Sequence, residues 1–135
     1  MGAEFEFQKA IYSVLSANAT LAAIGARIVD FGPSDEDAAT IFPYVSIGDA
    51  SLAEWDTDDT TGFNVLVRVH SYSAQSGVKE TKAMQSAIYA ALHLQALSVT
   101  GYETILFRRE DSSVMRTSRG AFHGVCEYRG YLDKA

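Results

Sequence analysis

Apolar residues recur at two different periods along this chain, and the switch between the periods marks out its elements. Phe7, Ala10, Ile11, Val14 and Leu15 fall at i, i+3 and i+4 spacing, which predicts a helix over residues 4–16. Asn18 is placed to cap a short second helical turn carrying Leu21 and Ile24, with Gly25 as its natural stop. "RIVDF" then starts a strand, broken by "GPSDEDAAT", an acidic loop without periodicity. "PYVSIGDA" reads as a strand with Val45 and Ile47 on one face and Pro43 at its start, where proline is tolerated. The clearest strand follows. Phe63, Val65, Val67 and Val69 alternate with Asn64, Arg68 and His70, as expected of a sheet wet on one side, and only Leu66 breaks the pattern.

The helical period returns over residues 77–93, where Met84, Ala87, Ile88, Ala91 and Leu92 form a stripe with Val78 one turn before it. Ser76 or Gly77 is placed to cap this helix, and Glu80 puts negative charge in its first turn, where the helix dipole favours it. "YETILFRR" predicts a strand running into a polar turn region around "EDSS" and "TSRG". "AFHGVCEYRGYL" closes the chain as a strand with Phe122, Cys126, Tyr128 and Leu132 on one face. The order is helix, two or three strands, helix, two strands. It predicts an α+β fold: one layer of mostly antiparallel sheet, about four to five strands, covered on one face by two α-helices. With 135 residues and no linker or repeat, the whole chain is expected to be a single domain.

Charge changes this picture. The net charge of −6 argues against general affinity for nucleic-acid phosphates. Nine of the 17 acids lie between residues 30 and 59, a stretch without Lys or Arg, which leaves eight acids against 11 bases elsewhere. A strongly acidic middle and a mildly basic remainder suit either a pair of solvated loops or a dipolar subunit made for stacking. Cys126 is the sole cysteine, so no intrachain disulfide forms and a reducing compartment is expected. No signal-like start and no apolar run of about 18 residues is found, so neither classical export nor a membrane partner is expected.

Candidate chemistry is sparse. "EWDTDDTTG", residues 54–62, gathers four carboxylates and a tryptophan without a base, but it fails the calcium-loop template. Counted from Asp56, the required glycine is Thr61 and the closing glutamate is Val67. "SGVK", residues 76–79, matches S-x-x-K without the S-D-N and K-T-G elements that chemistry needs, and Ser76 reads more simply as a helix cap. His70, His93 and His123 have no zinc-like spacing; His93 falls near a helix C-terminus, where positive charge is favourable. His70 and His123 fall on polar strand faces and line one surface if those strands pair. Cys126 reads as a small buried hydrophobe. No phosphate-cradling loop and no nucleophile with its base stands out, so no catalytic residue, metal or cofactor is expected.

The order of these signatures carries a resemblance. "FQKAIYSVLSANATLAAIGARIVD", then "FPYVSIGDASLAEWDTDDTTGFNVLVRVHSYS", then "SGVKETKAMQSAIYAAL" and two closing strands resemble the tail-completion or tail-terminator proteins of long-tailed bacteriophages and phage-derived gene transfer agents. The resemblance covers nearly the whole chain. It implies a structural protein of the virion without catalysis, an α+β sandwich that forms a six-fold ring on the head-proximal end of the tail tube. It implies as partners further copies of the chain, the tail tube protein and a neck or head-completion protein, with DNA passing through the lumen unbound. The long loop after the "PYVSIG" strand, here residues 55 to 62, corresponds to a region where such subunits extend contacts.

A closed ring needs two different complementary patches on each subunit. The candidates here are the acidic loop (Trp55, Asp56, Asp58, Asp59) and the arginines of the closing strands (Arg108, Arg109, Arg116, Arg119, Arg129). Alternatively the acids line the lumen and repel passing DNA, and Trp55 either anchors an interface or caps the edge of the core. A neck connector or minor tail protein of the same particle is the neighbouring alternative; a small ligand-binding or enzymatic α+β domain is the remote one.

Overall fold

The computed structural model describes residues 3–29, 43–54, 62–74, 78–95, 97–116 and 121–134. Helices α1 (Ala3–Ser16) and α2 (Ala19–Ile24) precede strands β1 (Arg27–Val29), β2 (Tyr44–Glu54) and β3 (Gly62–Ser73). Helix α3 (Lys79–Leu92) then leads into β4 (Tyr102–Arg116) and β5 (Phe122–Lys134). The strands form one sheet in the order β1-β2-β3-β5-β4, antiparallel throughout except for the short parallel pair β1 and β2. The class is α+β with a mostly antiparallel sheet, as the periodicity predicts.

Two counts differ from the expectation. The described residues hold three helices instead of two, because the Asn18 turn is a true helix: Asn18 Oδ1 accepts from the Leu21 N–H at 2.9 Å. Gly25, at φ 87°, closes it. Pairing also goes beyond the five strands of the sheet, since an isolated bridge joins Val99 to Tyr102, the first residue of β4.

Why the helices lie on one face follows from their stripes. Phe7, Ile11 and Leu15 of α1 and Met84, Ile88 and Leu92 of α3 are fully buried. They meet the inward rows of the sheet: Val45 and Ile47, Val65, Val67 and Val69, Phe107, and Cys126, Tyr128 and Leu132. Phe7 lies over the bare backbone of Gly130, where an added Cβ would come within 2.8 Å of its ring.

Two local readings are corrected. "EDSS" is not a turn: residues 110–113 lie inside β4, and Asp111, Ser112 and Ser113 pair with Glu127, Cys126 and Val125. Their polarity reflects exposure on the last strand of the sheet, beside a bulge between Arg109 and Asp111. The long helix begins later than expected, with Val78 in the capping position and no side-chain cap. The caps offered by the sequence, Ser76 and Gly77, and the "TSRG" stretch lie outside the described residues.

Candidate functional site

With the helices on one face, alternation turns Asn64, Leu66, Arg68, His70 and Tyr72 of β3 to the other. Tyr131, Arg129, Glu127, Val125 and His123 of β5 stand opposite them in that order. The β3–β5 register runs unbroken from Gly62 with Asp133 to Ser73 with Phe122, so this outer face is an ordered array of cross-strand pairs.

Charge on the β3–β5 part of the outer face is locally matched. Arg68 Nε donates to Glu127 Oε1 at 2.9 Å, directly across the ladder. Arg129 spans three strands: Nε donates to Glu110 Oε1 of β4 at 2.6 Å, and Nη1 to Asn64 Oδ1 of β3 at 2.6 Å. At the far end of the face, Tyr44, Tyr72, His123 and His70 form a column of rings. Within it His70 Nδ1 and His123 Nε2 lie 2.7 Å apart. Burial is the main force depressing both imidazole pKa values, with Arg68 adding to the effect at His70 and His70 at His123.

The candidate arginines that the structure describes are not all available to one patch. Arg108 is exposed on the outer face, in register with Arg129. Arg109 points the other way, its guanidinium 4.3 Å above the Tyr89 ring of α3. Its backbone N–H donates to His93 Nδ1 at 3.0 Å, and His93 stacks on Tyr89. His93 thus acts as an acceptor at Nδ1 for this N–H, at the C-terminal end of α3. Arg116 is exposed at the end of β4. Trp55, Asp56, Asp58, Asp59 and Arg119 lie outside the described residues.

Nothing described here assembles into a catalytic centre. Cys126 is buried, and that burial pushes its thiol pKa up, away from a reactive thiolate. Among the described residues no group of three or more His, Cys, Asp or Glu could hold a metal ion. No helix among them is long and apolar enough to cross a membrane. A polar groove of about 440 Å³ between α3 and β4 is lined by Lys82, Gln85, Arg109 and Ser112. It has cations but no nucleophile with a base.

Sequence reading anticipated that His70 and His123 share a surface, but missed Tyr44, Tyr72 and the Glu110–Arg129–Asn64 bridge. The period of two assigned each residue to a face; which residues stand side by side is set by the register, which periodicity does not fix.

Comparison with known proteins supplies what the geometry leaves unsaid. A family model described as "Tail completion protein gp17" matches residues 9–133. Among solved structures, a chain in the "Virion of native gene transfer agent (GTA) particle" is similar to this one, with a TM-score of 0.81 and 21% identity. The match covers 93% of each chain and identifies a shared fold. No curated protein matches the chain.

Proposed function

The chain belongs to the tail completion protein gp17 family of phage tail structural proteins, and on that premise we propose that it is the tail terminator. In this role it closes into a six-fold ring at the head-proximal end of the tail tube. The ring stops tube growth and offers its far side to the neck or head-completion protein, while DNA passes through the lumen without specific binding. The observation that carries the reading is the family match across nearly all of the chain. The fold shared with a protein of a gene transfer agent particle supports it.

Physically, the ring asks for two unlike patches that close on each other. The acidic segment between residues 30 and 59 is one. The other draws on Arg108 and Arg116, both exposed on β4, with Arg119 following in the sequence. Arg109 is committed to Tyr89 within its own subunit, and Arg129 to Glu110 and Asn64. The β3–β5 part of the outer face, where Arg68 and Arg129 are already paired with Glu127 and Glu110, contributes shape more than net attraction.

The test is reconstitution. Purified protein added to polymerising tail tube protein should halt growth at one end and leave tubes competent for joining to heads. Tubes that grow unchecked with the protein bound along their sides would overturn the terminator role.

A further inference from the structure

The outer-face column has an order set by strand register. Tyr44 stacks on Tyr72 with centroids 4.6 Å apart, and Tyr72 on His123 at 4.2 Å with the planes only 11° apart. The centroid of His70 lies 5.0 Å from that of His123. Between the imidazoles, Nδ1 of His70 and Nε2 of His123 approach to 2.7 Å. So short a contact between two ring nitrogens needs a proton between them, one ring donating and the other accepting through its lone pair.

We propose that His70 and His123 form a proton-operated clasp between β3 and β5, closed while at most one ring is cationic and opened when both are. In the neutral pair one contact nitrogen carries the bridging proton. A first added proton goes to the outward nitrogen of the donor ring, which leaves the bridge in place. A second must go to the accepting nitrogen, so two N–H groups and two positive charges then face each other, and the bridge is lost.

The surroundings suit a clasp. Arg68 lies on the same face of β3, its Nε taken by Glu127 of β5. From β3 and β2 the column presents the phenols of Tyr72 and Tyr44, and from β4 the uncharged Met115, the register partner of His123. β2 makes room for His70 with Gly48, where an added Cβ would come within 3.0 Å of His70 Nε2. Burial of both rings and the charge on Arg68 oppose double protonation. Opening would replace a packed aromatic column with two cations and leave Tyr72 stacked on Tyr44 alone. The inference stands apart from the ring reading, since it concerns one subunit.

Histidine NMR on the full chain, titrated from about pH 8 to about pH 4, tests it. Both rings should report two coupled steps at least about one unit apart, as expected of strongly interacting sites. The bridging-proton signal should survive the first step and vanish across the second. In His70→Gln, His123 should titrate in one step, at higher pH than the second step of the pair. Independent single steps near the ordinary histidine value of 6.5 for both rings in the native chain would overturn the clasp. So would a His123 titration unchanged by His70→Gln. If that variant does not fold, the native titration alone decides.

Discussion

Phe7 of α1 meets Phe107 of β4 edge to face, with centroids 5.1 Å apart and planes at 89°, directly above the bare backbone of Gly130. This contact ties the first helix to the last strand of the sheet order, so it fastens the two halves of the chain. Phe7→Ala should cost about 3–5 kcal/mol in urea unfolding. Gly130→Ala should cost about 1–3 kcal/mol by overpacking. In the double variant the second penalty should shrink, because the ring that the new methyl would strike has gone. Simple additivity would show that Phe7 does not occupy the Gly130 notch.

Two neighbouring arginines should behave in opposite ways. Arg109→Ala should lower stability by about 1 kcal/mol through loss of its contact with Tyr89. Arg108→Glu should leave stability within about 0.5 kcal/mol, because its side chain is exposed. If Arg108 belongs to the basic patch of the ring, its variant should impair tail capping instead. Unfolding curves and capping assays on the same two preparations check both statements.

Acid should weaken the fold through the histidine pair. Both imidazoles bind protons less readily in the folded chain than in the unfolded one. Between the lowered folded values and the ordinary value of 6.5, the unfolded chain therefore holds more protons. The stability that this pair contributes is complete above about pH 6.5 and falls as the pH drops through the lowered folded values. Urea midpoints across this range should decline toward acid in the native chain. The decline should be shallower in the His70→Gln, His123→Gln double variant.

How much of this was legible from sequence depended on what each feature rests on. The stripes of α1 and α3 and the alternation of β3 come from local periodicity, and the described structure follows them closely. Burial of Cys126 was legible for the same reason. The "EDSS" segment was not, because an exposed terminal strand loses the apolar alternation that advertises a strand. The His70–Val125 and Tyr72–His123 pairings depend on bringing together segments more than 50 residues apart in sequence, and no local pattern encodes that register. Arg109 shows the same limit. Its charge suggested a surface role, while a bulged strand beside α3 sets it over Tyr89.

Metal removal should do nothing. The acidic stretch from Glu54 to Asp59 fails the calcium-loop spacing, so chelation should leave the melting temperature unchanged. A fall of many degrees in EDTA would restore that stretch as a metal site.

The acidic loop is where assembly and folding should separate. Trp55→Ala should weaken ring formation by roughly 2 kcal/mol or more if the indole is an interface anchor, and spare the isolated subunit. Replacing Asp56, Asp58 and Asp59 by Asn should flatten the salt dependence of assembly, since charges on the surface act through a screened field. Unfolding of the isolated subunit by Trp55→Ala, with normal assembly of what survives, would assign the tryptophan to the core.

The most direct measurement is cryo-electron imaging of tails made with and without this protein. With it, the head-proximal end should carry a single ring of six copies and tube length should be uniform. Without it, lengths should scatter and heads should fail to join. Uniform, joinable tails in its absence, or a stable two-fold dimer with the acidic segment buried between its subunits, would contradict the terminator account.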